Sequence, residues 1–343
     1  MIYLRSESYA NEYRVALVPD DIAKLVSKGF SVVVESSAPA PRIFPDSAYS
    51  SAGALVTTEK WYSYGFAQGL FAPGTGQFVI GLKELDGLDK LSSHTHIYFS
   101  HSYKGQKGAE EVLSAFFRGG SILYDLEYFR NPDGSRVLAF GKYAGMVGAA
   151  LGLLQMKRKE DICNLKPWKS LDDMMGEVGV SHNDSKILII GNGRCSSGVQ
   201  TVLKDVGCDF DVVGREGVEN IYEYDIVFNC IALSVESTDV WMRKGDTILK
   251  DILVVDISCD YMKPNNPLAI YSEGTSMETP VLHVTDRISV IAIDNLPSLL
   301  PVEASVEFSG LLTGLLLRYG DRCWKDNLAV YKQQISRFFP LDE

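Results

Sequence analysis

The sequence predicts an α/β chain in which helices cover mostly parallel sheets. Three observations carry that expectation. Short runs of β-branched and apolar residues alternate with amphipathic helical patterns from the first residue onward. The same rhythm restarts at Lys186, after one long apolar helical stretch. At 343 residues the chain is long enough for two domains of roughly 150 residues each.

Taken in order, Ile2–Leu4 reads as a strand, and a short strand is expected within Asn11–Leu17. Pro19-Asp20-Asp21 opens a helix carrying Ile22, Leu25 and Val26 and stopped at Gly29, since proline suits a first helical turn and glycine an end. Ser31–Val34 is a compact β-branched run, Asp46–Gly53 a helical turn and Ala54–Thr57 a strand. Phe78–Leu82 and Ile97–Ser100 are further strands, then come the amphipathic helix Ala109–Phe117 and the strand Ser121–Leu126. Lys142–Met156 reads as a long apolar helix, with Ala144, Gly145, Gly148, Ala149 and Gly152 small on one side. A helix crossing between domains, or pairing two subunits, has this look. Lys157–Asp184 reads as mixed helix and loop. Strands resume at Lys186–Ile190, Phe210–Val213, Asp225–Cys230, Ile252–Asp256 and Ile288–Ile293, and Glu303–Tyr319 and Lys325–Phe338 are helical. The expected domains are residues 1–139, completed by helices within 302–343, and residues 140–301, with a cleft between them.

Composition narrows the function. The net charge of −11 opposes nucleic acid and anionic membranes, and no run of clustered Lys and Arg offsets it. The longest apolar stretch, Ala144–Met156, falls short of the ~20 residues that span a bilayer. Residues 1–7 lack the basic and apolar regions of a secretory signal. Cys163, Cys195, Cys208, Cys230, Cys259 and Cys323 show no CxxC spacing, so they read as reduced thiols without a zinc site, and the expected location is cytoplasmic. No metal site is expected.

Lys186–Ile190 runs into Gly191-Asn192-Gly193-Arg194-Cys195-Ser196-Ser197-Gly198, and a helical pattern follows over Val199–Val206. A glycine turn between a strand and a helix N-terminus binds pyrophosphate, because the backbone approaches closely and its N–H groups point at the anion. Ser196 stands at the third glycine of G-x-G-x-x-G, and an ordinary tight turn is the plain alternative. The buried strand before and the helix after favour a Rossmann dinucleotide site. Gly191, Gly193, Arg194, Cys195, Ser196 and Ser197 are therefore cofactor candidates. The next strand ends in Gly214-Arg215-Glu216. Glycine stands where an NAD site places an acid for the ribose, and Arg215 can meet a 2′-phosphate, which favours NADP(H) over NAD(H). Cys230 ends the strand expected beside Lys186–Ile190, so Cys195 and Cys230 are expected to lie close and to join reversibly on mild oxidation.

In open α/β sheets, ligands bind beyond the carboxyl ends of the strands. Three successive strands end in Lys83-Glu84, in His101 and in Glu127. A single Lys or Glu there is normally a solvated surface charge; three at one rim favour a site. Histidine titrates near neutrality, and a lysine is brought toward it by desolvation or a cationic neighbour, so the pair suits proton transfer in carbonyl and amine chemistry. His94, His96, His182 and His283 lack comparable partners. Arg14 and Arg136 each offer a fork matching a carboxylate, with a surface ion pair as the plain alternative.

Longer blocks then resemble a known family. Glu12-Tyr13-Arg14-Val15-Ala16-Leu17-Val18-Pro19, Gly81-Leu82-Lys83-Glu84, His96 to Lys104, Leu123 to Glu127, Arg136 to Gly141 and Tyr143-Ala144-Gly145 occur in family order. Gly193-Arg194-Cys195, Asn229-Cys230-Ile231 and Ile293 to Pro301 continue it. They resemble the lysine-forming saccharopine dehydrogenases of the alanine dehydrogenase superfamily, over most of residues 1–319. The resemblance implies two domains and reversible chemistry on a secondary amine, oxidised by a nicotinamide cofactor and hydrolysed to lysine and 2-oxoglutarate. It implies Lys83 and His101 as the acid–base pair tuned by Glu84 and Glu127, Lys104, Arg14 and Arg136 as carboxylate ligands, and Asp294 near substrate and cofactor. Ser135 replaces a family arginine beside Arg136, Ser196 and Gly214 alter the cofactor turn and the ribose position, and the glycine turn is one residue shorter than the family pattern. Those departures keep open an opine-type synthase resembling a carboxyethyl-ornithine synthase, an alanine dehydrogenase-like enzyme and, from another class, a non-catalytic dinucleotide sensor.

Overall fold

The computed structural model describes residues 1–37, 42–64, 76–180, 185–233, 239–261, 263 and 265–339. His182 and the end of the Lys157–Asp184 stretch lie outside the described residues. The chain divides into two compact units, Met1–Ala139 with Ser305–Glu343, and Phe140–Ala304.

The first unit is built on β1 (Ile2–Leu4), α1 (Pro19–Ser27), β2 (Val32–Glu35), α2 (Asp46–Ser51), β3 (Leu55–Thr57), β4 (Phe78–Ile80), β5 (Thr95–Tyr98), α3 (Ala109–Arg118) and β6 (Ile122–Asp125). Its six strands pair in parallel in the order β3-β2-β1-β4-β5-β6. The three strands expected to carry Lys83, His101 and Glu127 are therefore neighbours. Several boundaries differ from the sequence reading by one or two residues, and two of the differences have a visible cause. β5 starts two residues early because Thr95 and His96 are buried, the imidazole lying edge-on to Trp61 and Phe116. β6 closes early into the 3-10 turn Leu126–Tyr128, where the Asp125 carboxylate accepts the Glu127 N–H at 2.8 Å.

The second unit holds α4 (Gly141–Lys157), α5 (Leu171–Val178), β7 (Ile187–Ile190), α6 (Arg194–Asp205), β8 (Asp211–Val213), β9 (Ile226–Asn229), β10 (Met242–Arg243), β11 (Ile252–Asp256), β12 (Leu268–Ala269), β13 (Leu282–His283) and β14 (Ile288–Ile291). Its main sheet runs β13-β14-β11-β9-β7-β8, parallel except for the antiparallel edge strand β13. The two-residue pair β10–β12 and the edge β13 are too short to leave a periodic signal, and the sequence reading lacks them.

The small face of α4 packs against α6 of its own unit. A Cβ on Gly145 would lie 1.9 Å from the Cys195 carbonyl oxygen, and one on Gly198 would lie 2.0 Å from the Lys142 carbonyl oxygen. Glycine at both positions lets α4 and α6 touch backbone to backbone inside one unit. Helix α6 also starts at Arg194, within the stretch read as a turn.

Helix α7 (Pro301–Leu316) and α8 (Arg322–Phe338) complete the first unit. The expected strand within Asn11–Leu17 is absent. Its neighbourhood is held instead by α7, whose Ser305 and Ser309 hydroxyls accept the Val15 and Val18 N–H groups at 3.0 and 2.9 Å. Helix α8 seats Trp324 against Phe78, Tyr124 and Phe129, and its Asn327 and Tyr331 donate to the carbonyls of Asp125 and Ser121 at 2.8 and 2.7 Å. Both ends of β6 are thereby fixed. Among the described residues no helix is long and apolar enough to cross a membrane.

Candidate active site

Beyond the carboxyl ends of β4, β5 and β6 the first unit gathers six charged side chains. His101 has a left-handed backbone (φ 50°) that turns the chain sharply after β5. Its Nδ1 lies 3.5 Å from Glu84 Oε1. That contact raises the imidazole above its ordinary value, against burial and the nearby Lys83 charge, and lowers the Glu84 carboxyl to about 2. Glu127 takes Lys104 Nζ at 2.7 Å and Arg136 Nη1 at 3.1 Å. Burial pushes Glu127 up, but Lys104, Arg136 and His101 together hold it below the usual carboxylate range. The Lys83 ammonium lies 4.9 Å from the Tyr9 ring centroid, over its face.

Arg14 is placed differently from a solvent-facing clamp. It is buried, and its Nε and Nη2 donate to the two oxygens of Glu12 at 2.8 and 2.6 Å. Burial raises the Glu12 carboxyl, yet Arg14 and the Lys83 charge bring it below its ordinary value. Glu12 therefore connects Arg14 to the Lys83 neighbourhood. Its alternation with Arg14 was a signal the sequence reading passed over. So was Asp125, buried at the end of β6, which accepts Ser100 Oγ at 2.5 Å and whose carboxyl burial pushes up.

The other candidates lie in the second unit. Gly191 has φ 118°, and a Cβ there would sit 3.1 Å from the Cys230 carbonyl, so the turn after β7 requires glycine. Gly193 caps α6 with no side-chain hydrogen bond, and a Cβ there would meet nothing within 4 Å. An open, uncapped N-terminus of a helix following a parallel strand fits a dinucleotide's pyrophosphate. Arg194 and Ser197 are exposed there, whereas Ser196 is buried and accepts Gln200 Nε2 at 3.1 Å. Ser196 thus faces the protein interior. The close helix packing usually given to the third glycine falls to Gly198. Arg215, just beyond β8, donates to the Ala232 carbonyl at 3.0 Å. Cys195 is half-buried and Cys230 buried, and neither is in a disulfide. Burial raises the Cys230 thiol well above its ordinary value, with the neighbouring Cys195 adding to it. Asp294 is exposed, between β14 and the 3-10 turn Leu296–Leu299, and acts on Cys259.

Residues 3–147 match the family model described as alanine dehydrogenase/PNT, N-terminal domain. The saccharopine dehydrogenase (NAD(+), L-lysine-forming) of Candida glabrata is 37% identical over 341 residues, covering 90% of this chain and 88% of its own. That of Emericella nidulans is 36% identical over 378 residues, covering 98% and 96%. The chain belongs to the lysine-forming saccharopine dehydrogenase family. A solved L-alanine dehydrogenase, 16% identical, shares the fold with a TM-score of 0.74 over 99% of both chains.

As a saccharopine dehydrogenase family member the protein is an oxidoreductase of CH–NH donors, and its family is one of NAD(P)-dependent dehydrogenases. The α/β reading with mostly parallel sheets holds for both units.

Proposed function

We propose that this protein reversibly oxidises a secondary amine joining a lysine-like amino acid to a 2-oxoglutarate-like acid, through an imine, as its relatives' names suggest. The observation that carries the reading is the cluster of Lys83, Glu84, His101, Lys104, Glu127 and Arg136 past three adjacent parallel strands. On this reading residues 1–139 with the closing helices form the substrate domain, and residues 140–301 hold the cofactor.

The nicotinamide dinucleotide, when bound, supplies the two-electron oxidation or reduction at the carbon bearing the amine. Gly191, Gly193, Arg194, Cys195, Ser197 and Arg215 would hold it, with Ser196 supporting the turn from inside, and Cys230 and Asp294 beside it. His101 and Lys83 exchange protons with the amine nitrogen and with the water that adds to the imine. Glu84, paired with His101, favours the protonated imidazole, so His101 suits the donor role near neutrality. Lys104 and Arg136 bring positive charge for substrate carboxylates, while Arg14 would offer its remaining donors. We read the setting as reducing and cytoplasmic, because the six cysteines are scattered without CxxC spacing.

Two features sharpen the reading. Gly214 and Arg215 favour the 2′-phosphorylated cofactor, although the relatives' names say NAD(+). Ser135, bonded to Asn131 Nδ2 at 3.0 Å, supplies no charge beside Arg136, which favours a second reading: an opine-type enzyme with a different amino-acid partner. Cofactor oxidation should be followed with 2-oxoglutarate or pyruvate against lysine, ornithine and alanine. Turnover with lysine plus 2-oxoglutarate alone supports the first reading, and turnover only with another pair supports the second. Cofactor binding without turnover on any pair would remove both.

A further inference from the structure

Lys83 carries its ammonium on a flexible four-carbon stem, so its reach depends on how firmly its backbone is anchored. On the β1 side of β4 the sheet's ladder ends where the Arg5 N–H donates to the Ile80 carbonyl at 3.0 Å. Beyond that point two side chains take over the ladder's role. Glu7 Oε1 accepts the Leu82 N–H at 2.7 Å, and Oε2 accepts the Lys83 N–H at 2.9 Å. Arg5 Nη2 donates to the Lys83 carbonyl, and its Nη1 lies 3.4 Å from Glu7 Oε2. Both backbone polar groups of Lys83 are thus held by this one pair.

The pair is buried, with side chains 1% and 8% exposed. Burying two ionised groups carries a desolvation cost that an apolar pair would avoid, so a stability role alone explains it poorly. Gly81 makes the arrangement possible, since a Cβ there would lie 2.2 Å from Arg5 Nε. On its other edge the same segment keeps regular pairing, Gly81 N–H to Ile97 and Phe99 N–H to Leu82, both at 3.1 Å. The Lys83 turn is therefore clamped from both sides.

We propose that Arg5 and Glu7 are positioning residues that fix the Lys83 backbone so that its ammonium reaches the reacting nitrogen. The proposal rests on the reading of Lys83 as a proton carrier. A misplacement of about 1 Å in such a group costs on the order of 100-fold in rate. Glu7→Gln keeps the side chain's size but turns an NH2 toward a backbone N–H. Gly81→Ala drives Arg5 away without changing either charge.

Each variant should be made alone and in a Lys83→Met background, and kcat, KM, the pH profile, NADPH and NADH binding by fluorescence and thermal unfolding measured. We expect kcat to fall about 10- to 100-fold with KM and cofactor binding little changed, and the pH profile of kcat to shift. In the Lys83→Met background the further loss should be under about twofold, because the clamped group is gone. Equal losses in both backgrounds, or wild-type kcat in both variants, would overturn the clamp while leaving Lys83's role standing. A wild-type rate for Lys83→Met itself would instead remove the reading of Lys83, and the clamp with it. If Glu7→Gln does not fold, Gly81→Ala decides.

Discussion

The molecule contains two six-stranded sheets of nearly the same plan whose carboxyl rims are made of opposite materials. The first rim is all side chain: ammonium, imidazole, guanidinium and carboxylates in contact over β4, β5 and β6. The second is mostly backbone: a glycine turn, an uncapped helix N-terminus and two thiols beside β7 and β9. Parallel topology fixes where a ligand can approach, and it does so alike in both. What the rim offers the ligand is set by a few residues past the strand ends. A proton-transfer site needs titratable groups, whereas a phosphate site needs room for backbone N–H groups.

The largest test of this contrast removes the first rim's chemistry. Lys83→Met and His101→Gln should each lower kcat about 100- to 10,000-fold with cofactor binding intact. Near-wild-type rates for both would leave that rim without a catalytic role. The second rim should fail through packing instead. Gly198→Ala puts a methyl 2.0 Å from a backbone carbonyl oxygen. Overpacking of this kind costs roughly 1–3 kcal/mol, here at the upper end, so the melting temperature and cofactor affinity should both fall. An unchanged melting curve would show that α4 and α6 can separate freely.

Arg215→Ala asks whether the second rim has any side-chain selectivity. Hydrogen bonds to a charged group contribute about 1.5–3 kcal/mol, so its loss should shift the NADPH-to-NADH ratio of kcat/KM toward NADH by roughly 10- to 100-fold. A wild-type preference for NADH, or an unchanged ratio, would leave that rim pure backbone. Mild oxidation should link Cys195 to Cys230 and weaken cofactor binding; peptide mapping that finds either thiol free after full oxidation would exclude the pair.

The smallest effect is a difference in sign along one strand and its end. Glu84 raises His101, so the folded protein holds that proton more tightly than the unfolded chain. Its contribution is full below about pH 6.5 and is lost as the pH rises through the folded value. Burial lowers His94 to about 4 and His96 well below its ordinary value. Their cost therefore appears as pH falls below about 6.5, where the unfolded chain takes up protons first. Imidazole NMR titration should show His101 titrating above a free histidine, falling in Glu84→Gln, while His96 keeps its neutral signal at pH 5. A His101 unmoved by Glu84→Gln would break the pairing.

The three strand ends of the first rim were readable because Lys83, His101 and Glu127 each follow an apolar run. The start of β5 was hidden because buried Thr95 and His96 count as polar in any periodicity, although aromatic rings enclose His96. Gly198 carries no signal in the sequence, since the familiar glycine pattern ends at the position Ser196 fills. Its purpose depends on Lys142, far away in the chain but close in space. Arg5 and Glu7 were invisible for a related reason: they act on the backbone of Leu82 and Lys83, and a backbone leaves no residue signal. Sequence shows which groups can do chemistry more readily than which groups hold them.

The first unit closes only through helices that come after the second. Val15 and Val18 rest on hydroxyls 290 and 291 residues further along the chain. During synthesis, at roughly 5–20 residues per second, those N–H groups and the surface of β6 wait for α7 and α8 to leave the ribosome. The second unit, continuous from Phe140 to Ala304, has every strand it needs before then. A nascent chain therefore carries an uncovered aromatic face at Phe78, Tyr124 and Phe129 until Trp324 arrives. That interval is where chaperones and misassembly compete for it. The half made first is finished last.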